Sequence, residues 1–283
     1  MPNTPDAVKR FKRIGVVGAG NMGSMMAFAF SEIGLDVSIW DVNSETVDTF
    51  AKQLQQAKGM KGKSTPSTTL TNSPAAWTIK QYLKRGDIIL DGGNEHYRNT
   101  ERRQKECEEI GVSSIGIGVS GGYQPARHGP SMSPGGDPDA LDRVIPLLEL
   151  YAAKDPKTGM PCVMNMGPRG AGHYVKMIHN DVEVGMMSAV CEAWSFLSSG
   201  LGLSYNKIGD IFAKWNDCGE MRTTYLLELA EDICRTTKSS QGDRKGEGAS
   251  NVGGYVLDDI LDKVVQDDDT SEGTPTWSIM GSA

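Results

Sequence analysis

Few patterns restrict a fold as tightly as Gly18-Ala19-Gly20-Asn21-Met22-Gly23, a GxGxxG run set directly after the short apolar stretch Arg13 to Val17. The first glycine permits a tight turn, the second lets backbone approach a pyrophosphate, and the third lets strand and helix pack closely. A helix expected from about Met22 to Gly34 follows, and its N-terminus offers unpaired N–H groups to phosphate. A second strand, Asp36 to Trp40, ends at Asp41. Together these segments predict the opening strand–helix–strand unit of a Rossmann-type dinucleotide-binding domain. The candidate cofactor residues are Gly18, Ala19, Gly20, Asn21, Met22, Gly23 and Asp41. A carboxylate at Asp41 accepts hydrogen bonds from both hydroxyls of an adenosine ribose and repels a 2′-phosphate. Val42 supplies no guanidinium to hold that phosphate, so the local pocket favours NAD over NADP.

Further along, Ser44 is the expected cap of a helix running to about Lys58, with Thr46, Val47 and Phe50 facing inward. Gly59 to Pro74 reads as loop, Trp77 to Lys84 as helix and Asp87 to Leu90 as a buried strand. Glu101 to Ile110 is an expected helix and Ser114 to Val119 another strand. From Ala171 the pattern turns helical: Gly172 to Leu201, Lys207 to Trp215 and Glu220 to Thr236. Lys238 to Gly254 is polar and glycine-rich and is expected to be a mobile loop. The boundary is placed near Gly167 to Gly170, giving a Rossmann-type α/β domain over 1–168 and an all-α domain over 169–283. No internal repeat is present.

Composition removes several function classes. A net charge of −7 argues against general nucleic-acid binding, and most of it sits between Asp258 and Glu272. That acidic run reads as a solvated helix end and loop. No apolar run reaches the ~18 residues of a membrane span, and the first residues lack the apolar core of a secretory signal. Five cysteines without CxxC spacing read as reduced thiols of a cytoplasmic protein, with no zinc site and no metal expected.

The helix expected from Gly172 carries Lys176, His179, Asn180 and Glu183 at i, i+3, i+4 and i+7, hence on one face. A base, two neutral hydrogen-bonding groups and an acid in one stripe suit proton-transfer chemistry. Taken alone, the stripe equally fits a polar face turned to solvent.

GAGNMG, DGGNEHYR (Asp91 to Arg98), GVSGG (Gly118 to Gly122), ARHGPSMSPGG (Ala126 to Gly136) and GAGHYVKMIHNDVE occur here in one order and spacing. Together they resemble the 6-phosphogluconate dehydrogenases. The turn and the SGG segment also occur in the wider β-hydroxyacid dehydrogenase family, whereas DGGN paired with GHxVKMxHN selects the 6-phosphogluconate branch. The resemblance implies oxidative decarboxylation of 6-phosphogluconate to ribulose 5-phosphate, in the pentose phosphate pathway, by a homodimer using NADP. It implies that Lys176 takes the C3 hydroxyl proton and that Glu183 helps protonate the enediol. To act as a base the lysine must be neutral, which requires partial burial. Substrate contacts carry over to Asn94, Ser120, Gly121, Gly122, His179 and Asn180, with Asn94 also beside the nicotinamide. His173, His96 and His128 are expected to be structural.

Several positions depart from the family. A tyrosine that binds substrate phosphate is replaced by Val184, and a phosphate-binding lysine by Glu272, which turns attraction into repulsion. Arginine ligands and a tail that relatives carry further on have no counterpart before Ala283, so the helical domain is expected to be incomplete. Between the second helix and DGGN, relatives have a strand ending in a VKAG-like loop, beside the first strand. Here either Thr65 to Thr71 substitutes for it or the sheet is incomplete. These departures predict little activity on 6-phosphogluconate. Two alternatives stay open: a β-hydroxyacid dehydrogenase for an unphosphorylated sugar acid, and a catalytically inactive dinucleotide-binding paralogue.

Overall fold

A computed structural model describes residues 6–11, 13–41, 43–57, 59–66, 82–121, 125–155, 157–238 and 254–259. They fall into two compact units, the first running to His179 and the second from Asn180.

The first unit opens with a short helix, α1 (Asp6–Lys9), and strand β1 (Arg13–Val17). Helix α2 (Asn21–Glu32) then crosses to β2 (Asp36–Trp40), which pairs with β1 in parallel, Ile14 beside Val37 and Val16 beside Ile39. Helix α3 (Ser44–Gln56) follows. Phe28 of α2 and Phe50 of α3 are almost wholly enclosed, their ring centroids 4.9 Å apart, and each such burial is worth about 1.5–3 kcal/mol. The cap of α3 is Asn43 rather than the expected Ser44, because the Asn43 side chain accepts the Glu45 N–H at 2.9 Å.

Within the expected loop Gly59 to Pro74 lies a third strand, β3 (Ser64–Pro66), which pairs in parallel with β2. Its polar sequence and its proline disguise it, and Pro66 is tolerated because among the described residues the strand lies at the sheet edge. Thr65 therefore joins the sheet beside β2 and not beside β1; residues 67–71 lie outside the described residues. So does most of the helix expected over Trp77 to Lys84.

A second three-stranded sheet contains β4 (Ile88–Asp91), β5 (Ser113–Ser120) and β6 (Ser131–Gly136). β4 and β5 are parallel, and β6 runs antiparallel to β5. Helix α4 (Tyr97–Glu108) starts four residues before the expected Glu101, since the His96 ring nitrogen accepts the Arg98 N–H and caps it there. The short α5 (Pro125–His128) leads to β6, and α6 (Pro138–Tyr151) buries Leu141, Val144, Leu147 and Leu148. Asp137 caps α6 through the Ala140 N–H at 2.8 Å.

The two sheets share one apolar core, to which both Val37 of β2 and Ile115 of β5 belong. Yet among the described residues nothing pairs with the second edge of β1. Among the described residues the strand that carries the glycine turn therefore stands at the edge of its sheet, with Val17 40% exposed. In doubly wound folds that strand is central.

Helix α7 (Ala171–Ser195) has residues on both sides of the division and continues in a π-helical turn, Phe196–Gly200. The second unit adds α8 (Tyr205–Asp217) and α9 (Tyr225–Arg235). Its small core gathers Leu197, Ile208, Phe212, Leu227 and Cys234. Arg235 of α9 pairs with Asp210 of α8 at 2.8 Å and with Glu231 at 3.0 Å. Most of the expected loop Lys238 to Gly254, and most of the acidic run, lie outside the described residues. Among the described residues no helix is long and apolar enough to cross a membrane.

Candidate functional site

The glycine turn meets three separate steric demands. Gly18 has φ +100°, in the left-handed region, and its N–H donates to the Trp40 carbonyl at 2.7 Å. A Cβ on Gly23 would stand 1.8 Å from the Gly18 oxygen, so any side chain there would part the helix from the turn. A Cβ on Gly20 would meet nothing within 4 Å, leaving the backbone open on that side. Among the described residues no side chain caps the start of α2, so the N–H groups of its first turn are left for a ligand. This suits a dinucleotide pyrophosphate. Asp41 closes the arrangement: one carboxylate oxygen accepts the Ala19 N–H at 2.6 Å and the other the Asn43 N–H at 2.8 Å. A cavity of about 320 Å³ opens between the starts of α2 and α3, its walls including Ala19, Gly20, Asn21, Asn43, Glu45 and Thr46. Val42 lies outside the described residues.

A second constellation forms where α7 lies on β5 and β6. Gly116 and Gly118 alternate onto one face of β5. A Cβ on Gly116 would come 2.9 Å from His173 Nδ1, and one on Gly118 would come 2.4 Å from Lys176 Cβ. Gly172 meets the Gly116 and Ser133 carbonyls in the same way, at 2.1 and 2.5 Å. Absent side chains thus let the helix rest on the backbone of the sheet. That close approach brings half-buried Lys176 to the end of β5, where its Nζ donates to Ser120 Oγ at 2.6 Å. The alternating glycines within GVSGG and the strand before it carried this signal, which sequence reasoning did not use.

His173, 1% exposed, ties α7 to the turn that follows β4. Its Nε2 lies 3.1 Å from the Asp91 carbonyl oxygen, which only accepts, so Nε2 bears the hydrogen. Nδ1 then accepts from the Thr100 hydroxyl at 2.6 Å. Burial pushes the imidazole below its usual pKa, outweighing the opposing pull of Asp91, and the ring is neutral. The other end of the turn is held by charge. Arg103 Nη1 lies 2.5 Å from Glu95 Oε2 and 3.7 Å from Asp91 Oδ2. Burial raises the Glu95 pKa, but hydrogen bonds from Asn99 and the His96 backbone, with the Arg103 charge, bring it below the ordinary carboxylate value. Between these anchors Gly92, Gly93 and Asn94 stand exposed. Thr100, Arg103, Glu95 and Ser133 were not singled out from sequence, although Glu95 stands within DGGNEHYR.

Of the remaining expected residues, Ser120 is half-buried and Gly121 exposed with φ +125°, while Gly122 lies outside the described residues. His179 is exposed one turn beyond Lys176 on α7; Asn180 and Glu183 are half-buried on the same helix. Val184 is 40% exposed. Among the described residues no group of three His, Cys, Asp or Glu side chains could hold a metal ion.

Comparison with known proteins adds to this geometry. Residues 13–167 match the NAD binding domain of 6-phosphogluconate dehydrogenase and residues 172–283 the 6-phosphogluconate dehydrogenase C-terminal domain. A decarboxylating 6-phosphogluconate dehydrogenase of Emericella nidulans is 55% identical over 93% of this chain and 57% of its own length. Two Bacillus subtilis relatives are 36% and 34% identical, over 94% and 95% of this chain and 56% and 57% of theirs. The first is named NADP(+)-dependent and the second NAD(+)-dependent. The solved Plasmodium falciparum 6-phosphogluconate dehydrogenase superposes with TM-score 0.71 at 30% identity, covering 88% of this chain and 54% of that one. The chain therefore spans a little over half the length of these relatives. With both family models matched in sequence order, and with a nucleotide-binding α/β domain followed by helices, the chain belongs to the 6-phosphogluconate dehydrogenase family.

Proposed function

We propose that this chain oxidises the C3 hydroxyl of a sugar acid of the 6-phosphogluconate class with a nicotinamide dinucleotide, and that decarboxylation follows. The observation that carries this reading is the Lys176 amine held 2.6 Å from the Ser120 hydroxyl at the end of β5. Lys176 takes the hydroxyl proton, and Ser120 keeps the amine directed at that position. A nicotinamide held there would supply the hydride acceptor. Asn94, Ser120, Gly121, Gly122, His179 and Asn180 orient the substrate, and the β-keto acid so formed loses CO₂. Glu183, two turns beyond the base on α7, then helps return a proton to the enediol carbon. Gly18 to Gly23 and Asp41 hold the dinucleotide.

In this reading residues 1–168 form the nucleotide domain and 169–283 belong to the helical one. The five free cysteines support a reducing compartment, the cytoplasm. Exposed Val182, Val184, Met186 and Met187 support the pairing of subunits that the resemblance implies. A second reading, an unphosphorylated sugar acid as substrate, is favoured by Val184, whose side chain offers no hydroxyl to a phosphate.

Reduced-dinucleotide formation with 6-phosphogluconate and with gluconate, for the wild type and Lys176→Ala, tests both readings. Lys176→Ala is expected to abolish turnover while leaving the dinucleotide dissociation constant within about twofold, because the base does not hold the cofactor. A variant that still turns over would refute the assignment of the base. Weak activity on 6-phosphogluconate is expected; a kcat/KM of about 10⁴ M⁻¹s⁻¹ or more would show that the phosphate is held by other groups. Binding of dinucleotide without turnover of either acid would leave the inactive paralogue.

A further inference from the structure

Leaving Asp41, the chain is fixed by a relay of two side-chain-to-backbone bonds. Asp41 accepts the Asn43 N–H at 2.8 Å, and Asn43 accepts the Glu45 N–H at 2.9 Å. The relay matters for charge. The first turn of a helix ordinarily attracts phosphate through its free N–H groups. Here one of those donors, on Glu45, is already taken by the cap, and its residue brings a carboxylate to the same place. Glu45 is exposed and stands in the wall of the 320 Å³ cavity, which also includes Ala19, Gly20 and Asn21 of the glycine turn. None of the described residues lining that cavity is basic.

We propose that Glu45 is a second specificity-determining carboxylate, which with Asp41 makes this cavity reject a ribose 2′-phosphate and so select NAD. The proposal rests on the reading of Gly18 to Gly23 as the dinucleotide turn. The two acids divide the task. Asp41, already bonded to the Ala19 N–H, sits where the ribose hydroxyls are met. Glu45 lies two residues beyond Asn43 and acts through charge alone, facing any phosphate that extends from the ribose into the cavity. Across solvent, one unit charge acting on a phosphate corresponds to about a three- to tenfold change in affinity at low ionic strength, and the effect shrinks as salt screens it.

The test is direct binding of NAD and of NADP, by calorimetry, to wild type, Glu45→Gln and Glu45→Asp, at low salt and at about 0.5 M salt. Glu45→Gln should tighten NADP about three- to tenfold and leave NAD within twofold, while Glu45→Asp, which keeps the charge, should behave as wild type. The gain in NADP affinity should largely vanish at high salt. An unchanged NADP affinity in Glu45→Gln, or equal shifts for both dinucleotides, would overturn the role of Glu45 while leaving the dinucleotide site standing. Failure of the wild type to bind either dinucleotide would overturn both.

Discussion

Gly118→Ala isolates the contact on which the position of Lys176 depends. The added methyl would stand 2.3 Å from Ser133 Oγ and 2.4 Å from Lys176 Cβ, with Lys176 Cγ at 3.1 Å. Carbon atoms that are not bonded make their best contact at roughly 3.5–4 Å, so more than 1 Å of overlap must be relieved. Rotating a side chain does not relieve it, because a Cβ moves only with its backbone. Nor can α7 retreat cheaply, since Gly172 is seated against the Gly116 and Ser133 carbonyls. Overpacking of this kind costs about 1–3 kcal/mol, against a gain of about 0.4–1 kcal/mol from the stiffer unfolded chain. A net loss of about 1 kcal/mol corresponds to a fall of about 0.5 M in the urea midpoint of the first unit, taking an m-value near 2 kcal/mol/M. Gly15→Ala is the matched control: it too lies in a strand, and its Cβ would meet nothing within 4 Å. That variant should be neutral or slightly more stable. Urea unfolding followed by circular dichroism decides the matter. Midpoints for Gly118→Ala and Gly15→Ala that agree within about 0.25 M would refute the argument that α7 rests on the bare backbone of β5.

Two further perturbations probe the turn after β4. His173 has its pKa lowered by burial, so as pH falls the unfolded chain takes up its proton first. The contribution to stability is therefore complete above the ordinary histidine value of roughly 6.5 and is lost as pH falls from there through the depressed folded-state value. In His173→Gln, whose amide can still donate to Asp91 and accept from Thr100, unfolding midpoints between pH 5 and 8 should show a flatter slope; an unchanged slope would acquit His173. Arg103→Met leaves Glu95, 8% exposed, without its cation and should cost about 3 kcal/mol in thermal or urea unfolding. A loss below about 0.5 kcal/mol would mean that Asn99 and the His96 amide suffice to hold the carboxylate.

What could be read from sequence was what depends on near neighbours along the chain. Gly18, Gly20 and Gly23 answer to one turn and one helix, so their spacing alone announced the strand–turn–helix unit. The same holds for the face of α7 that bears Lys176. Beginnings of helices were less legible: Asn43 and Ser44 are both good caps, and only the bond to the Glu45 N–H separates them. β6, with Pro134 between Ser133 and Gly135, has the composition of a loop and becomes a strand because β5 pairs with it residue by residue. The glycine contacts between β5 and α7 join residues more than fifty positions apart, and no local pattern reveals them. That the segment between the second helix and DGGN departs from its relatives was legible, because an expected strand was missing from the order of motifs. That Ser64–Pro66 joins the sheet beside β2 rather than β1 required the pairing itself.

The edge of β1 left unpaired among the described residues gives the coenzyme a second part to play. The glycine turn hangs from β1, a strand hydrogen-bonded on one side only among the described residues. A ligand that binds the folded turn and not the unfolded chain adds its own free energy to the folded state, about 2.7 kcal/mol at a hundred times its dissociation constant. For domains whose whole margin is about 5–15 kcal/mol, that is a substantial share. The concentration of free dinucleotide would then govern how much of this chain survives proteolysis, so that supply of the coenzyme and abundance of the protein rise and fall together.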